Sequence, residues 1–156
     1  SGRGEIEAIA VDDKLGYVYY SDENCGIRKY MANPDARQAN EELALFGTEG
    51  FAEDREGISI YCNADGRGYI LVSDQQSDAF RVFPRQGGQD NPHAHRLIAV
   101  LNLSTHESDG SDVVSRTLGG KYKDGLFVAM SDDRTFQFYS WNELQEEIER
   151  QTTGSE

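Results

Sequence analysis

One short pattern occurs three times along this chain: a glycine, four or five apolar residues, then Ser-Asp. It reads Gly16 to Ser21-Asp22, Gly68 to Ser73-Asp74, and Gly125 to Ser131-Asp132. The spacing is about 50 to 60 residues, a period that marks repeated supersecondary units. The apolar runs are β-branched and aromatic, which suits strands, and Ser-Asp suits a turn. A repeat of this kind restricts the chain to like sheets set side by side, because one such unit cannot bury its apolar face alone.

Each unit carries further strand-like runs. In the first, residues 5–11 alternate, Tyr17-Val18-Tyr19-Tyr20 follows the turn Asp12 to Gly16, and Ile27 to Tyr30 and Leu43 to Phe46 complete four strands. In the second, the runs are Gly57 to Cys62, Tyr69 to Val72, Phe80 to Phe83, and a long fourth strand from His95 to Leu103. The third opens at Ser108 and continues with Leu126 to Met130 and Phe136 to Tyr139, with no fourth strand. Asn142 is expected to cap a short helix over 143–151, and residues 152–156 read as frayed. Four antiparallel strands per unit describe the blade of a β-propeller. The predicted fold is therefore an all-β partial propeller over residues 1–156, with blades at 5–48, 55–104 and 108–141 and a C-terminal helix at 142–151.

The stretch Glu53-Asp54-Arg55-Glu56 enters the second unit. If it is extended, Asp54 and Glu56 point the same way, and like charges on one face are better tolerated around a cation. Each unit also begins with an acid: Glu7, Glu56 and Asp109. First strands of a propeller lie innermost, so these acids are expected to converge at one end of the axis. The formal net charge is -13, from 28 acidic and 15 basic residues. That argues against sequence-independent nucleic-acid binding, which needs a basic face. It also disfavours direct anion binding unless a metal reverses the local sign. No run is long and apolar enough to span a bilayer as a helix, and none has the pattern of a signal peptide. Cys25 and Cys62 are too few for a disulfide scaffold, and the sequence leaves open whether they pair.

Several stretches together resemble the C-terminal half of the β-propeller phytases, calcium-dependent phosphatases of inositol hexakisphosphate. They are Ile6-Glu7-Ala8-Ile9-Ala10-Val11-Asp12-Asp13, Asp54-Arg55-Glu56-Gly57-Ile58-Ser59-Ile60-Tyr61, Asp65-Gly66-Arg67-Gly68-Tyr69, Phe83-Pro84-Arg85-Gln86-Gly87, Ser108-Asp109-Gly110-Ser111-Asp112-Val113 and Gly125-Leu126-Phe127-Val128-Ala129. The resemblance implies a six-bladed propeller with an acidic, calcium-filled cleft at one end. It implies Glu7, Asp54, Glu56 and Asp109 as calcium-ligating carboxylates, Gln75 beside the same metals, and Glu23 in proton transfer. Arg85 aligns with a family arginine and is the candidate substrate contact. The resemblance further implies phytate as substrate, a secreted or periplasmic bacterial setting, and a partner in the form of the missing N-terminal half or a second copy. Ala8 stands where the family usually has Gly. The loop from Ser104 to Ser108 and the segment from Ser131 to Phe136 are shorter than in some relatives, which removes acidic calcium loops there.

The chemistry is coherent. Phosphomonoester hydrolysis needs an activated water, neutralised phosphoryl oxygens and a proton for the leaving group. Oxygen donors without a His-Cys cluster favour calcium over zinc. Plainer roles exist for the same residues. Glu23 is also a hairpin acid, Asp109-Gly110 a turn, and His93, His95 and His106 loop residues. The alternative function is a non-catalytic binding or scaffold propeller that lacks the complete site.

Overall fold

The computed structural model describes residues 4–52 and 54–154, and it consists of three antiparallel sheets and one helix. Glu53 and Ser155-Glu156, named above in the acidic stretch and the tail, lie outside the described residues. The first sheet has the order β1 (Ile9–Asp12), β2 (Tyr17–Asp22), β3 (Gly26–Met31), β4 (Ala44–Phe46). The second has the order β5 (Ile58–Cys62), β6 (Gly68–Asp74), β7 (Ala79–Pro84), β8 (Ala99–Asn102). The third has three strands, β9 (Ser111–Val114), β10 (Leu126–Ser131) and β11 (Thr135–Ser140), with β10 in the middle. The helix α1 is Trp141–Thr153.

The sheets stack face to face, with the second in the middle. Tyr19, Ile27 and Phe46 of the first sheet pack on Ile58, Ile70, Val72 and Phe83 of the second. The opposite face of the second sheet carries Leu71, Phe80, Val82 and Leu101, which pack on Phe127 and Ala129 of the third sheet and on Trp141, Leu144 and Ile148 of α1. Side chains alternate along a strand. Consecutive apolar residues such as Ile70-Leu71-Val72 therefore serve both layers, and all three are fully buried. The outer sheets are covered on one face only. Ile9 and Val11 are 66% and 50% exposed on the first, and Phe136 and Phe138 are 67% and 55% exposed on the third. The first strands β1, β5 and β9 neighbour one another in that order, so the leading ends of the three units lie together.

The repeated glycines meet steric demands. A Cβ at Gly68 would collide with the Tyr61 carbonyl of the paired strand, and Gly125 has φ +126° with the Val114 carbonyl in the same place. Ser-Asp belongs to the strands rather than to the turns expected. Ser21-Asp22 and Ser73-Asp74 end β2 and β6, and Ser131 ends β10. The hydroxyl of Ser21 accepts the Ala8 N–H at 2.9 Å, and that of Ser73 accepts Glu56 and Gly57 N–H at 3.2 and 2.8 Å. Each thereby clasps the segment entering its sheet's first strand. Asp22 and Asp74 are ion-paired across the hairpin, with Arg28 and Arg81.

Other boundaries move for tertiary reasons. The fourth strand of the second sheet is only Ala99–Asn102, because His95 turns inward instead of extending it. His95 Nδ1 faces the Pro84 carbonyl at 2.8 Å, so that nitrogen carries the proton. Its Nε2 then accepts from Lys29 Nζ at 3.1 Å, and Lys29 also donates to the Pro92 carbonyl at 2.8 Å. Lys29 is fully buried, with its ammonium 3.9 Å from the Tyr17 ring centroid. This cluster ties the loop after β7 to the first sheet. The helix starts at Trp141 rather than 143, since Trp141 is buried and stacked on Tyr61 at 3.5 Å between centroids. Ser140, not Asn142, is its cap residue, and the helix runs on through Thr152 and Thr153 instead of fraying there. Cys25 and Cys62 are free thiols.

Candidate active site at the acidic mouth

Residues 54–57 lead into β5 without being part of it. Ser73 grips the backbone N–H groups of Glu56 and Gly57, which holds the run-in against the end of β6. Arg55 points the other way from its acidic neighbours. It is 7% exposed, donates from Nε to the Gly47 carbonyl at 3.1 Å and from Nη1 to the Glu23 carbonyl at 2.7 Å. The guanidinium thus fixes the turn that carries Glu23 to the run-in that carries Asp54 and Glu56. Glu23 accepts from the Glu5 N–H through Oε2 at 3.4 Å, and its own N–H donates to the Glu5 carbonyl at 3.2 Å. Glu7 follows two residues later, before β1.

Five acids from all three units meet electrostatically at this end. The Glu56 carboxyl is held above the ordinary range, first by desolvation and then by the charges of Glu7, Asp109, Asp54 and Glu23. The exposed Glu7 carboxyl is also raised, by partial desolvation, by its hydrogen bond and charge contact with Glu5, and by Glu23 and Asp54. Desolvation is the larger cause in both, and repulsion among the acids of one mouth adds to it. Two glutamines lie among the acids: Gln75 donates to Asp109 at 2.6 Å, and Gln76 donates to Asp54 at 2.7 Å.

Glu7, Glu23, Asp54, Glu56, Gln75 and Asp109 are therefore brought to one end of the molecule. Among the described residues, no three acidic, histidine or cysteine side chains are drawn together closely enough to hold a single ion as they stand. The donor chemistry nevertheless fits a hard cation: carboxylate and carboxamide oxygens, with no thiol or imidazole among them.

Arg85, the candidate substrate contact, lies elsewhere. It is 1% exposed and pairs with Asp12 through two bonds, Nε to Oδ2 and Nη2 to Oδ1, both 2.6 Å. A further bond from Nη1 goes to the Gly66 carbonyl. Asp12 ends β1 and Gly66 is in the β5–β6 turn, so the pair sits at the opposite end of the sheets from the mouth. A guanidinium with these partners is an inter-sheet tie. Asp12, Arg55 and Gln76 were not singled out from the sequence. Asp12 looks like one more turn acid, and nothing local marks it as the partner of a residue 73 positions away.

The fold and the mouth define an all-β protein of stacked antiparallel sheets whose acids gather at one end in a set suited to oxygen-loving cations. The chain belongs to the phytase family, whose model matches residues 3–147. It is 26% identical over 160 residues to the 3-phytase of Bacillus subtilis (strain 168), an alignment that covers 92% of this chain and 40% of that protein. The chain thus spans less than half the length of this relative.

Proposed function

We infer that this chain belongs to a calcium-dependent phosphomonoesterase that hydrolyses phytate, its three sheets being consecutive blades of a propeller. The observation that carries this reading is the gathering of Glu7, Glu23, Asp54, Glu56 and Asp109 at one end of a phytase-family chain. Glu7, Asp54, Glu56 and Asp109, with the Gln75 carboxamide, would hold calcium. A cation held there would supply the positive charge that phosphoryl oxygens need beside so many carboxylates, and would polarise water. Glu23 is the group proposed to deliver a proton to the inositol oxygen as the phosphorus–oxygen bond breaks. Its backbone is held by Arg55, which sets the direction of its approach.

The exposed Ile9–Val11 and Phe136–Phe138 faces lie at the two ends of the stack. Apolar faces of this kind call for cover by further blades, from additional chain or from a second copy. Phosphate release from phytate by the full-length protein, with calcium and with chelator, tests the reading. Release expected only with calcium supports it. Release that chelator leaves untouched rejects the calcium requirement, and no release in either condition rejects the enzyme reading and favours a binding module.

A further inference from the structure

The aspartates that lead into the second and third sheets are joined by a directed relay of two carboxamides. Gln75 and Gln76 occupy the short 3-10 turn Gln75–Ser77 that follows β6. The Asp54 backbone N–H donates to Gln76 Oε1 at 2.9 Å, and Gln76 Nε2 donates back to Asp54 Oδ2 at 2.7 Å. A backbone N–H only donates and a carboxylate only accepts, so these two bonds fix which way round the amide sits. The same Nε2 donates to Gln75 Oε1 at 2.9 Å, and Gln75 Nε2 donates to Asp109 Oδ1 at 2.6 Å. Every bond in the series has one permitted direction.

Asp54 and Asp109 stand on segments entering different sheets, and each carries a negative charge. Left alone they would move apart. A neutral amide offers donors without adding charge, which an acid in its place could not do. Calcium takes six to eight oxygens at defined distances, so the spacing of its carboxylates matters as much as their number.

We propose that Gln76, though exposed, is a positioning residue of the calcium site. It clamps Asp54 at two points and, through Gln75, ties Asp54 to Asp109. This rests on the calcium reading above. Its role is to orient Asp54, not to supply a ligand.

The test uses the full-length protein with Gln76→Leu and Gln76→Ala, neither of which can donate or accept. Calcium isotherms by titration calorimetry should weaken by roughly 10- to 100-fold in both, the usual effect of removing a group that orients a metal ligand. The melting temperature in chelator should match wild type. Terbium, used as a luminescent probe in place of calcium, should show shorter decay times as water replaces a displaced carboxylate. Wild-type isotherms in both variants overturn the proposal. A loss of binding accompanied by a matching fall in the chelator melting temperature also overturns it, because the role is then merely structural. Wild-type protein that takes up no calcium defeats the underlying reading, and the inference with it.

Discussion

Asp12 and Arg85 show how far a side chain's role can lie from its local sequence. Both are nearly free of solvent, and the fork of Arg85 meets both oxygens of Asp12. Removing one partner leaves a buried charge unpaired, which typically costs about 3–5 kcal/mol, whereas replacing both with apolar groups costs much less. Urea denaturation should therefore show Asp12→Ala to be strongly destabilising and Asp12→Ala with Arg85→Met milder than either single change. Additive losses would mean the pair is not a unit. The mouth acids behave in the opposite way. Their repulsion is a cost in the absence of cation, so calcium should raise the melting temperature. Asp54→Asn combined with Glu56→Gln should remove most of that rise, as read by thermal unfolding with and without chelator. An undiminished rise in the double variant would take both residues out of the site.

The hairpins carry the repeat, and the serine at or next to the end of each second strand shows its purpose. Ser73 is fully buried and accepts two backbone N–H groups from the run-in to β5. Those groups have no ladder partner of their own there, because the strand proper begins at Ile58. Ser73→Ala should cost about 1–3 kcal/mol by stranding buried donors. It should also weaken the calcium-induced rise in melting temperature, since Glu56 is attached to the same backbone. A variant as stable and as calcium-responsive as wild type would show that the clasp is dispensable. The free edge of β8 is managed by another side chain. The Gln151 carboxamide donates to the Val100 carbonyl and accepts the Val100 N–H, both at 2.9 Å, as a neighbouring strand would. Edges covered in this way resist pairing with other chains. The repeat was legible because period-two patterning and turn chemistry are local. The clasp was not, because Ser-Asp looks the same whether its hydroxyl turns toward its own backbone or toward another strand.

Between the first and second sheets, Lys29 and His95 form a joint that depends on pH. Burial, opposed by the Nδ1 bond to Pro84 and reinforced by the charges of Lys29 and His93, lowers His95 to about 4. Burial lowers Lys29 to about 8, with Asp12 acting against it. A depressed histidine is neutral when folded and protonated when unfolded over the interval between its two values. Its contribution is thus complete above about 6.5 and is lost as pH falls toward 4. From pH 7 to pH 5 this amounts to about 2 kcal/mol. Glu7 and Glu56, raised in the fold, act with the opposite sign, gaining as acid neutralises them. The histidine is isolated by comparison with His95→Gln: urea midpoints should fall more steeply between pH 7 and 5 in wild type than in the variant. Parallel slopes would remove His95 from the account. Lys29 adds a second window, with stability rising between about pH 8 and the ordinary lysine value.

Local patterning determined much about this protein. The strands of each unit, the turn at Asp12 to Gly16, the missing fourth strand of the third unit and the acids leading each unit all follow from period-two alternation, turn chemistry and repetition. These signals lie within a few residues of one another. Tertiary structure alone decided that Arg85 ties sheets together far from the mouth, that Lys29 and His95 share a buried site, that Arg55 and Gln76 hold the acids in place, and that the middle sheet is buried on both faces. In each case the partner comes from a distant part of the chain, and burial converts a charge or amide of ordinary appearance into a structural tie.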